Sequence, residues 1–328
     1  MKNNLKYIIL SLVLVIIFSL SGCAEKNKEM TKVSYRLKWL FNTSVAGDIY
    51  ADANGFFARE GLDVEVKEGG PELDAIKELE IGHAQFGVAS ADQVIRAVSK
   101  GSPIVVLAQL FQLNPLQWIY RSDENRIDKI EDIKGKTIGI TFGGNDETIM
   151  KALLSKHDIR EEEVNFFSVR YDYTPFYERR VALWPVYRNA EGIIIADKLL
   201  KAKEPVSFFN PNDYGIHFVA NSVITTEYML KQHPETVKAF LSALTKAWNE
   251  ALDPANSDKT IDTIHKFDQD TPSGIMRQQL DITRQLMKPN KKILFGEIDV
   301  DAWKETEKIM LEQKLIAAPV NIETKLKK

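Results

Sequence analysis

The chain has 328 residues, 44% of them apolar and 27% charged, with a formal net charge of −3. That length suffices for two halves with separate cores, and no basic block beyond Lys325, Lys327 and Lys328 in the tail points to nucleic acid as a partner. The lone cysteine, Cys23, leaves no internal disulfide and no cysteine-built metal site.

The first element is a basic tip with Lys2 and Lys6, an apolar run over 7–20, and then Leu20-Ser21-Gly22-Cys23. It resembles a bacterial lipoprotein signal (residues 1–22), which implies cleavage before Cys23 and lipid on its sulfur. The apolar run is shorter than the ~20 residues of a spanning helix. An uncleaved anchor is the blander alternative. Residues 23–32 are polar and charged, and read as a tether between lipid and domain.

From Val33 the chain alternates strand and helix signals. Period-2 patterning of Val33, Tyr35, Leu37 and Trp39 predicts a strand over 33–40. A helix over 45–60 follows, closed by Gly61. Next come a strand at 62–67, a helix at 72–79 and a short strand at 84–88. Ser90 opens a helix with Gln93 three residues on, a capping box. An apolar strand spans 103–110. The same grammar restarts near Asp128, with a strand at 137–141, the turn Gly143-Gly144-Asn145, and a helix carrying Ile149, Leu153 and Leu154. Further strands are expected at 164–169, 192–196 and 216–224. The rest is helical, over 259–267, 274–287, 300–313 and a long helix from His233-Pro234, with Pro at its first position. Its apolar stripe (Val237, Phe240, Leu241, Leu244, Trp248, Leu252) reads as core packing.

Alternating strands and helices predict an α/β architecture with parallel sheets. Two such blocks with a late return predict two lobes, 33–118 plus 219–328 and 119–218, joined by crossings near 116–121 and 216–221. A ligand cleft between them would close by a hinge. The five histidines are scattered, with no pair at i, i+4. There is no His-Glu-x-x-His, Gly-x-Ser-x-Gly, P-loop or Gly-x-Gly-x-x-Gly. No cofactor is implied.

Four segments in order carry a resemblance: 37–47 (LKWLFNTSVAG), 51–64 (ADANGFFAREGLDV), 82–92 (GHAQFGVASAD) and 132–139 (DIKGKTIG). They resemble ABC-transporter solute-binding lipoproteins of the superfamily that takes thiamine-pyrimidine precursors, sulfonates, taurine and nitrate. The resemblance covers most of 33–221. It implies a two-lobed, type II periplasmic-binding-protein-like fold with mixed sheets, an ABC permease and ATPase as partners, and attachment to the outer face of the membrane through Cys23. Pyrimidine synthases that share this fold use pyridoxal phosphate and a cysteine-rich motif, which this chain lacks. Two departures from the family pattern are Asp48-Ile49-Tyr50 after Gly47, and Asn189-Ala190-Glu191 in place of Asn-Glu-Pro.

In open α/β sheets ligands sit at the carboxyl ends of strands. The strand ends predicted here expose Trp39, Asn42, Ser90, Gly143, Gly144 and Asn145. Helix N-termini there suit anionic or carbonyl oxygens, and the glycines would let backbone approach a ligand. Ser90 and Asn145 read equally well as plain helix caps. Trp39 offers a face for a planar ring, or belongs to the core. Tyr171, Trp184 and Tyr187 form an aromatic run in the second half. Asp48 is a candidate acceptor for an exocyclic amine, or a surface acid. Asp146 and Glu147 are explained by the helix dipole alone. No strong cationic anchor is visible at these ends, which tilts the expectation toward a small pyrimidine-like heterocycle over a sulfonate, taurine or nitrate. An exported enzyme and a sensory module are the readings of another class.

Overall fold

The computed structural model describes residues 29–70, 72–170, 172–290 and 292–327. Cys23, the signal segment and Tyr171 lie outside the described residues. Strand β1 (Thr31–Arg36) buries Val33 and Tyr35, as its alternation requires. It runs parallel to β2 (Leu62–Lys67), from Thr31 opposite Leu62 to Arg36 opposite Lys67. The connection between them is two helices, α1 (Ala46–Ala53) and α2 (Phe56–Arg59), not one. Gly55 separates them at φ +68°, a conformation that interrupts a helix and that glycine adopts without strain.

Helix α3 (Ala75–Glu80) leads to β3 (Phe86–Ala89), α4 (Ala91–Val98) and β4 (Ile104–Gln109). The next strand, β5 (Leu116–Arg121), leaves this sheet. It pairs antiparallel with β8 (Trp184–Tyr187) and β9 (Val206–Phe209). Strand β6 (Thr137–Ile140), helix α5 (Asn145–Lys156) and strand β7 (Asn165–Ser168) precede them, with β6 parallel to β7. A bridge between Ile138 and Leu183 joins the β6–β7 pair to the β8 side. Helices α6 (Thr174–Tyr177) and α7 (Glu191–Lys201) flank β8. Strand β10 (Ser222–Thr226) then returns to the first sheet, whose order is β2-β1-β3-β10-β4, with β10 antiparallel to both neighbours.

The first sheet is therefore completed by an antiparallel strand that comes after the whole second sheet in the chain, whereas no strand of the first sheet falls between those of the second. The passage from first to second sheet is 110–115, ahead of the expected 116–121, because β5 is itself a strand of the second sheet. The return runs along it. Leu110 N donates to Asn221 O at 2.9 Å, and Asn114 Nδ2 to Phe218 O at 3.0 Å. The strand expected at 192–196 is instead the body of α7, and β8 and β9 were not anticipated. Helix spacing and a short buried apolar run look alike at Gly192-Ile193-Ile194-Ile195.

The C-terminal helices α8 (Glu227–Gln232), α9 (Pro234–Ala251), α10 (Ser257–His265), α11 (Ser273–Met287) and α12 (Val300–Glu312) cover the first sheet and its edge. The stripe on α9 is core. Phe240 is fully buried, stacked on Phe86 at 3.8 Å and Phe57 at 5.2 Å, and edge-on to Tyr35 at 5.0 Å. Trp248 lies so close to α1 that a Cβ on Gly47 would stand 2.0 Å from its ring. Glu307 accepts the N–H groups of Val320, Asn321 and Ile322, so the tail turns back, and Lys327 N donates to Val106 O on β4.

Candidate functional site

A cavity of about 380 Å³ opens where strands of both sheets end. The residues after β1 form one wall. Gly69 fixes them: its N–H donates to Trp39 O at 2.9 Å, and a Cβ there would lie 2.2 Å from Leu37 O. This close approach bends the chain past β1 and aims both Lys38 and Trp39 into the cavity. The strand stops at Arg36, so alternation no longer governs residue 38. That is why Lys38 was missed.

Lys38 supplies the cation that the sequence did not reveal. Its Nζ donates to Asn145 Oδ1 at 3.1 Å and Tyr187 Oη at 2.9 Å, reaching from the first half to the second. Tyr187 Oη donates onward to Asn221 Oδ1 at 3.2 Å, on the return segment. Trp39 also bridges the halves: its half-buried indole Nε1 donates to Glu191 Oε1 at 2.9 Å. At the rim Arg170 pairs with Glu72, again across the cleft. Burial pushes the Glu191 carboxyl above its usual range, opposed by backbone N–H groups and the Trp39 indole.

The turn before α5 forms the opposite wall. Gly143 has φ +81°, and its N–H donates to Glu147 Oε2 at 2.7 Å. A Cβ on Gly144 would stand 2.5 Å from Asp146 Oδ1 and 2.9 Å from Thr141 O. Both glycines line the cavity, but the turn's own packing accounts for them, not only ligand approach. Asp146 does more than face the helix dipole. It is 5% exposed, and its Oδ2 accepts Thr141 N at 2.6 Å. Burial raises its pKa to about 6, opposed by the Thr141 bonds and the Lys38 charge. Asn145 is 9% exposed, and its Nδ2 is buried with no partner among the described residues. Trp184 closes the cavity from behind, 1% exposed and packed on Tyr173 at 5.8 Å and Phe176 at 6.1 Å.

Of the residues singled out from the sequence, Trp39, Gly143, Gly144, Asn145, Trp184 and Tyr187 meet at this cavity. Asn42 does not. Its Oδ1 accepts Ser44 N and Ser44 Oγ at 2.8 and 2.6 Å, capping a short turn. Ser90 is a helix cap: its N–H donates to Gln93 Oε1, and its hydroxyl to Asp92 Oδ1 at 2.6 Å. Only Gln93 of that box reaches the cavity. Asp48 is neither surface acid nor cleft acceptor. It is fully buried in the first core, accepting from Tyr35 Oη at 2.7 Å and Trp248 Nε1 at 3.4 Å. Burial pushes its pKa up to about 7. Besides Lys38, Glu191 and Asn221 line the cavity without having been expected there. Glu191 opens a helix that was read as a strand.

The family described as "NMT1/THI5 like" matches residues 42–257. The chain belongs to the NMT1/THI5-like family. A formylaminopyrimidine-binding protein from Halalkalibacterium halodurans is 26% identical over 310 residues, covering 90% of this chain and 91% of that protein. The riboflavin-binding protein RibY from Chloroflexus aurantiacus is 24% identical, covering 90% and 84%. Among solved structures, the alkanesulfonate-binding protein SsuA from Xanthomonas axonopodis pv. citri, bound to MOPS, superposes with a TM-score of 0.69 at 13% identity, covering 91% of this chain and 99% of that one. The fold is thus that of the periplasmic binding proteins, and the relatives within the family are solute-binding proteins. No helix among the described residues is long and apolar enough to cross a membrane.

Proposed function

We propose that this protein is the exported, lipid-anchored solute receptor of an ABC importer, and that it captures a small heterocyclic molecule of the pyrimidine or thiamine-precursor kind between two hinged lobes. The carrying observation is the cavity itself: about 380 Å³, walled by groups from both sheets, with Trp39 and Tyr187 as aromatic faces and the buried Trp184 behind them. That volume lies within the range of small-molecule sites. Polar groups at its edge (Lys38, Asn145, Asp146, Glu191) can fix the orientation of a ring between those faces.

The contacts across the cleft are ones that a hinged pair of lobes makes only when shut. A ligand touching both halves favours that shut form, since only there are both sets of contacts made. The paired connections 110–115 and 215–221 are the only two passages between the sheets among the described residues, and they serve as the hinge. The receptor hands its ligand to a permease driven by an ATPase, and lipid on Cys23 keeps it at the membrane. It does no chemistry on the ligand.

A second reading has a specific observation behind it. Lys38 and Arg170 in the lining suit a sulfonate better than the sequence suggested. Native mass spectrometry of the protein as purified would separate the two by the mass of any retained ligand. A thermal-shift panel of aminopyrimidines, riboflavin, taurine and nitrate follows. A melting-temperature rise with ring compounds alone supports the heterocycle; a rise with taurine or nitrate alone rejects it. Small-angle scattering unchanged at saturating ligand would reject lobe closure.

A further inference from the structure

The lining of the cavity holds two cations and several acids, and their engagement differs. Arg170 is paired with Glu72. Glu191 is bonded by the Trp39 indole, Asp146 by Thr141 N, and Asp74 by Ile76 N. Lys38 donates only to neutral acceptors, the amide oxygen of Asn145 and the hydroxyl of Tyr187. It forms no ion pair among the described residues. Asp146 feels its charge but is turned toward the Thr141 backbone. A half-buried ammonium with no carboxylate in direct contact leaves a place for an anionic group against it.

The neighbouring amide carries the argument further. Lys38 can only donate, so it fixes the Asn145 carboxamide with oxygen toward Nζ and nitrogen away. That nitrogen, Nδ2, is buried and unpartnered at the cavity wall, on a side chain 9% exposed. A buried donor without an acceptor is costly in itself. Asn145 is also the first residue of α5, a twelve-residue helix whose N-terminal end faces the same space. Three features meet at one spot: a cation without a contact ion pair, an amide donor without an acceptor, and the N-terminal end of a helix.

We propose that Lys38 and Asn145 form an acceptor subsite, and that the ligand is a planar heterocycle carrying an anionic oxygen substituent, such as a carboxylate, which lies against Lys38 Nζ and Asn145 Nδ2. This rests on the heterocycle reading above and adds the substituent to it. Glu191 is engaged by the Trp39 indole and takes no part. The subsite discriminates against the neutral analogue, which leaves the Lys38 charge unmatched.

The test is isothermal titration of the purified full chain with two probes, an aminopyrimidine carboxylate and the matching hydroxymethyl aminopyrimidine, which differ only in that substituent. The parent should bind the acid roughly tenfold more tightly than the alcohol, the usual scale for a charge-assisted contact. Lys38→Met should lose the preference for the acid, binding the two probes alike. Lys38→Arg should keep the preference. Asn145→Asp, which brings a carboxylate against Lys38, should weaken the acid more than the alcohol and so reverse the preference. If the alcohol binds the parent as well as the acid does, the subsite proposal is overturned and the heterocycle reading stands. If Lys38→Met weakens both probes equally, Lys38 is a strut between the halves and the proposal fails. If neither probe binds, the heterocycle reading falls, and this proposal falls with it.

Discussion

Replacing Trp39 by Phe separates a ligand-contacting residue from a core one. The indole N–H donates to the Glu191 carboxylate at 2.9 Å, and Phe keeps an aromatic face but no donor. A hydrogen bond to a charged group contributes about 1.5–3 kcal/mol net. Trp39 is half-buried, so solvent screening leaves about 1–2 kcal/mol. A smaller ring face against a planar ligand costs roughly another 0.5 kcal/mol. The sum, about 2 kcal/mol, is a loss of roughly 30-fold in affinity. Because the bond spans the cleft, the open form proposed above would not contain it. The melting temperature without ligand should therefore move by no more than about 2 °C. The assay is titration calorimetry with the ligand recovered from the purified protein, beside a thermal melt of both variants. A Trp39→Phe protein that binds like the parent but melts far lower would show that Trp39 is structural, and the reasoning about the cleft would be wrong.

Gly47→Ala places a Cβ 2.0 Å from the Trp248 ring, so overpacking of about 1–3 kcal/mol should lower the melting temperature by roughly 5 °C; calorimetry that shows no change would refute the close packing. Asp48 is held near 7 in the fold against about 3.9 in an unfolded chain, so the native state binds the extra proton between those values and stability falls as pH rises through that window, then levels off. Urea unfolding from pH 4 to 8 should show this decline, on the order of a few kcal/mol, and Asp48→Asn should flatten it; an equal slope in both proteins would exclude Asp48 as its source. Cys23→Ser should move the protein from the membrane fraction to the soluble fraction with an unchanged melting curve, and full retention on the membrane would reject lipid anchoring.

The α/β alternation was legible because each core strand and helix carries its own period. Tyr35 and Val33 mark β1, and Phe240, Leu244 and Trp248 mark α9, from spacing alone. The second sheet was read less well. Trp184-Pro185-Val186-Tyr187 contains a proline and two aromatics and has no clean alternation, yet β8 forms because β5 supplies an antiparallel partner from distant sequence. The cavity was half visible. Trp39 and Asn145 were found because they end predicted elements. Lys38 and Glu191 were not, because their roles depend on a bend enforced by Gly69 and on a helix start that local pattern did not mark. Asp48 shows the reverse error. A charged residue early in a helix suggested solvent or ligand, while its environment is set by Tyr35 and Trp248, thirteen and 200 residues away.

The late return of β10 to the first sheet bears on how the chain can be made. Strand β10 sits between β3 and β4, so the first sheet stays split until residues 222–226 exist. The Phe240 plug of its core comes later still. An emerging chain of about two-thirds length can complete the second sheet, but it holds the first half open, with Phe57 and Phe86 uncovered. Such long-range closure is slow and exposes apolar surface while it waits. On the exported reading proposed above this order is an advantage, because the N-terminal half has no closed sheet to adopt until β10 and the Phe240 helix have also passed through. Circular permutants that start at β10 should lose that delay and fold early, and they should be the ones that jam export.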